Sequence, residues 1–211
     1  MSFRYKNFKL NQQSGFSLLE MIVVTAIFVT VTGIVLANLP TFRNRASLDL
    51  TAQEMALAIR EAQVYGTATR VSGDTYPSYG IHFQLTDGPA KDFVLFADAN
   101  TNKAYDLGAD CNKTGQETEC LDKYLLDGNF KITDLCVDSV SNCVKTNQII
   151  DVVYTRPFPE PSICDLSGCN HNTAYVIISS PDGSDYRVVA IWNNGQITAE
   201  NPANQAKTNQ P

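Results

Sequence analysis

Residues 16–38 are apolar almost without relief, and no side chain from 21 to 39 carries a formal charge. As a helix those 23 residues would extend about 35 Å, enough for a hydrocarbon core of roughly 30 Å. The run therefore reads as a membrane span. At Pro40 the pattern changes, because proline lacks an N–H and clashes with the preceding turn; a kink or local break is expected near residues 36–40. The helix is then expected to resume over about 43–65. There Leu48, Ala52, Met55, Ile59 and Ala62 recur at spacings of 4, 3, 4 and 3, with Asp49, Gln53, Glu54, Arg60, Glu61 and Gln63 set around them. Such a stripe predicts a helix that packs one face on the domain after it.

Gly66, then Gly73 with Asp74, Pro77 and Ser78, end the helical pattern. Strands are expected next. Ile81, Phe83 and Leu85 alternate within 79–85, and 93–96 is a short apolar run after the Asp87-Gly88-Pro89 turn. Further strands are expected over 130–137, 149–154, 174–179 and 186–192, the last two separated by Pro181-Asp182-Gly183. Asn194-Gly195, two residues that tolerate positive φ, predicts a primed turn closing a C-terminal hairpin. The tail from Asn201 has no apolar pattern and is expected to fray.

Glu20 is the residue that an ordinary span does not explain. A carboxylate inside the apolar run costs roughly 2.5 to 3.5 kcal/mol on insertion scales unless it reaches the interface, protonates or meets a cation. If the chain were cut after Gly15, the new amine of Phe16 would lie about one helical turn from Glu20, and such pairs on neighbouring copies could neutralise each other. The plainer alternative is an uncleaved single-pass anchor with a tolerated interfacial carboxylate. Arg4, Lys6 and Lys9 precede the span with no acidic residue among the first 19 positions, which predicts a cytoplasmic N-terminus and export of the chain beyond Leu39.

Lys9 and the run Gly15-Phe16-Ser17-Leu18-Leu19-Glu20-Met21-Ile22-Val23-Val24 resemble the processing and assembly signal of type IV pilins and type II secretion pseudopilins. The resemblance implies a membrane-embedded prepilin peptidase that cuts after Gly15 and methylates the amine of Phe16, with Glu20 supporting docking into a growing filament. An ordinary signal peptide has its cleavage site after the apolar core, whereas this signal precedes the core, which would be kept. Residues 50–63 resemble the second helical block of minor pseudopilins and fimbrial-type minor prepilins, and Tyr79-Gly80-Ile81-His82-Phe83 with the closing strand pair fit the same plan. The implied fold is α+β and pilin-like, a long N-terminal helix packed on a C-terminal antiparallel β domain. The expected organisation is a leader at 1–15, a transmembrane and filament-core helix at 16–39, an amphipathic extension at 40–66, an exported β-rich domain at 67–200 and a flexible tail at 201–211.

Composition narrows the function. The chain has 211 residues and a net charge of -6, which becomes -9 once a leader carrying three cations and no anions is lost. That balance argues against a phosphate-binding surface as the main function, so no nucleic acid partner is expected. About 170 residues remain after the leader and span, enough for one ordinary domain.

The most ligand-like stretch is 98–110, where Asp98, Asn100, Asn102, Asp106 and Asp110 offer oxygens to a hard cation such as calcium. The glycine and closing glutamate of the helix-loop-helix calcium motif are missing at their spacings, and Asp98, Asn100 and Asn102 can equally form self-capping turns. Six cysteines, Cys111, Cys120, Cys136, Cys143, Cys164 and Cys169, lie in the part expected to be exported, where oxidation is favoured. They permit 15 complete pairings; the local one (Cys111 with Cys120, Cys136 with Cys143, Cys164 with Cys169) is preferred, with a zinc site as the competing reading. His82 and His171 are the only histidines and sit in no recognised catalytic motif. His82 is expected to be an exposed strand residue and His171 a loop residue. Asn112-Lys113-Thr114 formally matches a glycosylation acceptor.

The expectation is a non-enzymatic subunit without a cofactor, a minor pseudopilin held in the inner or cytoplasmic membrane with its β domain periplasmic or extracellular. Its partners would be membrane lipid before assembly, a prepilin peptidase, other pilins or pseudopilins, and an inner-membrane assembly platform. The alternatives are a minor pilin for adhesion, motility or DNA uptake, and a membrane-tethered binding module that does not polymerise.

Overall fold

The computed structural model describes residues 15–68, 77–106, 111, 119–141 and 143–200. The leader before Gly15, the Gly73-Asp74 turn, Asp110, the Asn112-Lys113-Thr114 tripeptide and the tail from Asn201 lie outside them. The chain divides into two units, Met1–Arg43 and Asn44–Pro211.

One helix, α1, runs over Leu18–Thr67. Pro40 lies inside it, so of the kink or local break expected there the break does not occur. Proline removes only its own bond to the carbonyl four residues back, and the turns on either side keep theirs. Gly66, read from the sequence as a terminator, belongs to the last turn instead.

In the first unit every large apolar side chain from Phe16 to Phe42 is exposed. Its polar groups are turned back on the helix: Thr25 Oγ1 donates to Met21 O at 2.8 Å, Thr30 Oγ1 to Ala26 O at 3.0 Å and Asn38 Nδ2 to Ile34 O at 2.9 Å. Donors satisfied within the segment are what a non-aqueous surrounding demands.

In the second unit α1 buries Leu48, Ala52, Met55, Ile59 and Ala62, the five positions of the periodic stripe, together with Thr51, Ala58 and Gly66. Among the described residues ten strands come after it: β1 Ser78–Leu85, β2 Asp92–Asp98, β3 Cys120–Leu125, β4 Lys131–Val137, β5 Cys143–Val144, β6 Gln148–Tyr154, β7 Pro161–Asp165, β8 Thr173–Ser179, β9 Tyr186–Trp192 and β10 Ile197–Glu200. They form two antiparallel sheets, ordered β3-β2-β1-β6-β7 and β10-β9-β8-β4-β5. The arrangement is α+β and pilin-like, an N-terminal helix followed by an antiparallel β domain.

The helical stripe and one face of each sheet share a core containing Ile81, Phe83, Ile132, Val152, Val176 and Val189. The second sheet has a smaller apolar cluster of Cys136, Tyr175, Val188 and Ala190, at positions that alternate with the core-facing ones. Strands covered on both faces read as apolar runs rather than alternations, which is why β6, β8 and β9 stand out in the sequence. The helix is tied to both sheets. Glu61 accepts from Tyr124 of β3 at 2.8 Å, Gln63 Nε2 donates to Pro159 O at 3.0 Å, and Asp49 pairs with Arg187 of β9.

The C-terminal hairpin forms, with Ile197 opposite Ile191. Its turn is not the primed two-residue type expected. Only Gly195 takes a positive φ, 82°, while Gly195 N donates to Trp192 O and Trp192 N to Gln196 O, each at 2.9 Å. Three residues therefore form the loop, with the glycine alone in the left-handed region.

Candidate assembly site

α1 begins at Leu18. Gly15, Phe16 and Ser17 precede it, and Met21 N donates to Ser17 O at 3.2 Å. Ser17 thus stands at the cap position, and Glu20 falls in the first turn. A carboxylate there faces unsatisfied N–H groups and the positive end of the helix dipole, worth about 0.3–1 kcal/mol when exposed. Nothing approaches within 4 Å of a β-carbon built on Gly15, and Phe16 is 78 % exposed. Both residues of the junction are open.

Glu20 follows Phe16 by four residues, with Phe16 and Ser17 ahead of the helix. Around and after it lies a continuous exposed apolar surface that includes Leu18, Leu19, Ile22, Phe28, Ile34 and Leu36. Moving each such side chain from water to an apolar surrounding is worth about 1.5–3 kcal/mol, so this surface calls for lipid or protein around it. By length and composition α1 is able to cross a membrane.

The Asp and Asn stretch is a self-bonded loop. Asp98, fully buried, accepts from Asn102 N through Oδ1 and from Lys103 N through Oδ2, each at 3.1 Å. Asn100 Oδ1 accepts from Asn102 N at 3.0 Å, Asn102 Oδ1 from Ala104 N at 2.9 Å, and Asp106 from the side-chain amides of Asn100 and Asn102. Glu119 completes the loop, accepting from Ala99 N at 3.2 Å and from Asp106 N at 3.0 Å. Burial pushes the Asp98 and Glu119 carboxyls above their ordinary values; backbone hydrogen bonds oppose it and the Asp106 charge adds to it. Among the described residues no group of three or more His, Cys, Asp or Glu side chains is arranged to hold a metal ion. Glu119 was not singled out by sequence; it stands immediately before Cys120.

The six cysteines pair locally. Cys111 is bonded to Cys120, Cys136 to Cys143 and Cys164 to Cys169, with Cα separations of 5.1, 4.1 and 3.8 Å.

His82 departs from its expected exposed position, whereas His171 lies in a loop as expected. His82, expected to be exposed, is 3 % exposed, with Nδ1 2.7 Å from Asp151 Oδ1 on the neighbouring strand β6. Its ring lies 4.9 Å from that of Tyr105, which covers it. The misreading comes from alternation, since β1 is buried on both faces. His171 lies between two carboxylates, Asp138 and Asp165.

The model of the prokaryotic N-terminal methylation motif matches residues 10–36, which contain Gly15, Phe16, Glu20 and most of the exposed apolar surface. No curated protein and no solved structure matches the chain. With the apolar helix and the antiparallel β domain, the match supports a type IV pilin-like or pseudopilin protein anchored by a single pass. It also implies processing by a prepilin peptidase and assembly with other pilins.

Proposed function

We propose that the chain is a minor pseudopilin, a non-catalytic subunit of a type II secretion pseudopilus. It is made as a prepilin with its N-terminus in the cytoplasm and its β domain in the periplasm. A prepilin peptidase cuts between Gly15 and Phe16 and methylates Phe16, and an inner-membrane platform then draws the subunit out of the bilayer. The energetics are an exchange: the exposed apolar surface of residues 16–39 leaves lipid for the helices of neighbouring subunits, so assembly loses little apolar contact. Glu20 then meets the terminal amine of a neighbour, which offsets the cost of a carboxylate in an apolar filament core.

The observation that carries this reading is Glu20, four residues beyond the Gly15-Phe16 junction, at the head of an exposed apolar helix and inside the matched motif. The experiment is incorporation of Glu20→Ala into filaments beside the other subunits of the system. Membrane insertion should be preserved and incorporation reduced at least tenfold. Incorporation at the native level would contradict the pairing of Glu20 with an amine. Loss of folded-protein export in a deletion strain, with surface motility intact, assigns the subunit to secretion; the opposite pattern assigns it to a pilus.

A further inference from the structure

His171 lies on the connection between β7, the edge of the first sheet, and β8, within the second. Its Nδ1 is 2.8 Å from Oδ2 of Asp138, the residue after β4 of the second sheet. Its Nε2 is 3.0 Å from Oδ1 of Asp165, the last residue of β7, close in distance but off the hydrogen-bond line. A neutral imidazole has one N–H and one lone pair, and a lone pair 3.0 Å from a carboxylate oxygen is repelled. Two carboxylates on the two ring nitrogens therefore call for the doubly protonated, charged ring.

Asp138 is fixed from the segment that carries His171, its N–H donating to Thr173 O at 2.9 Å, and Asp165 is fixed within its own turn. Asp138 Oδ1 accepts from Asn172 N at 2.7 Å; Asp165 Oδ1 accepts from Ser167 N at 2.7 Å, Ser167 Oγ at 2.6 Å and Gly168 N at 3.2 Å. Each loop is also closed by a disulfide, Cys136–Cys143 around Asp138 and Cys164–Cys169 around the turn after Asp165. The partners are held in place, and the ring charge is what varies. The side chain is 15 % exposed, so protons can reach it.

We propose that His171 is a proton-operated clamp between the two sheets, holding Asp138 after β4 and Asp165 at the end of β7 together while its ring is charged, and releasing Asp165 when the ring is neutral and keeps only its Nδ1–H bond to Asp138. The charged groups facing it are Asp138 from the β4 side and Asp165 from the β7 side; Asn172 and Asn193, bonded to each other beside β8 and β9, carry no charge. The hydrogen bond to Asp138 raises the pKa of His171 above 6.5, with burial opposing and Asp165 adding. The same bond lowers Asp138 below 3.8, whereas for Asp165 burial pushes upward and the bonds from Ser167, together with the nearby His171 charge, outweigh it.

The signs define a window. A histidine raised in the folded state contributes fully below 6.5 and loses its contribution as pH climbs through the raised value. Carboxylates lowered in the folded state contribute above 3.8 and lose that as pH falls through their lowered values. The clamp is closed between those limits and opens on the alkaline side.

The test uses the full chain in detergent micelles with isotope-labelled histidine, assigning the two imidazole signals by His171→Gln. Amide exchange protection of segments 136–141 and 165–172 is followed from about pH 6 to about pH 9, across the histidine range. His171 should titrate above 6.5, and protection should fall through the same midpoint, about tenfold for each unit of excess. Protection in His171→Gln should be low and independent of pH, and Asp165→Asn should move the wild-type midpoint down. Titration of His171 at or below 6.5, or equal protection at both ends of the range, overturns the clamp. Wild type and Asp165→Asn carry the test if the glutamine variant does not fold.

Discussion

Gly66 of α1 and Tyr154 of β6 meet with no space between their backbones: a β-carbon on Gly66 would lie 2.5 Å from Tyr154 Cβ and 2.6 Å from its carbonyl oxygen. The last turn of the helix is seated directly on the first sheet at this point. In a free helix Gly→Ala stabilises by about 1 kcal/mol. Here the sign reverses, and Gly66→Ala should destabilise the β domain by about 1–3 kcal/mol through forced displacement of the helix end. Urea unfolding followed by tyrosine fluorescence measures this; a variant as stable as wild type would mean that the helix end is free to shift.

The two ion pairs at the other end of the same helical segment should behave differently. Arg187 is nearly buried and pairs with Asp49, whereas Arg45 is more than half exposed and pairs with Asp185 at 3.1 Å. Asp49→Ala strands a buried guanidinium and should cost about 2–4 kcal/mol. Arg45→Ala removes a solvated pair and should cost about 0–1 kcal/mol. Denaturation midpoints of the two variants decide this, and equal losses would contradict the burial argument.

The loop after β2 should be held by Asp98 rather than by a cation. Asp98→Ala removes two buried acceptors and should cost about 1–3 kcal/mol; Asp98→Asn, which keeps one acceptor, should cost less. Addition of about 1 mM calcium, within the affinity range of extracellular calcium modules, should leave the unfolding temperature of wild type unchanged. A rise of several degrees would show that the loop opens to admit the ion.

How far the sequence reaches depends on where each signal comes from. The helical stripe was legible because five apolar residues at 3-4 spacing have one way to be buried, and all five are buried. Strands β1, β2, β4, β6, β8 and β9 were legible because their runs are apolar and bounded by turns. β3, β5 and β7 were not. β3 is an edge strand with Asp122 and Lys123 in its middle, β5 has two residues, and β7 opens on Pro161 at a sheet edge where a missing N–H costs nothing. The N-terminal methylation motif was legible because its pattern is local, contained within residues 10–36. The His82–Asp151 and His171–Asp138 pairs were hidden because their partners lie 69 and 33 residues away, joined only by strand register and by the turns around the disulfides.

The central claim is that residues 1–15 form a leader and that Phe16 with Glu20 begins an assembling subunit. Co-expression with a prepilin peptidase, then intact mass and N-terminal mapping of the purified membrane protein, tests it most directly. The expected product begins at Phe16, carries one added methyl group on its amine and lacks residues 1–15. A product that retains those residues in the presence of active peptidase would contradict the account and leave the chain an uncleaved anchor.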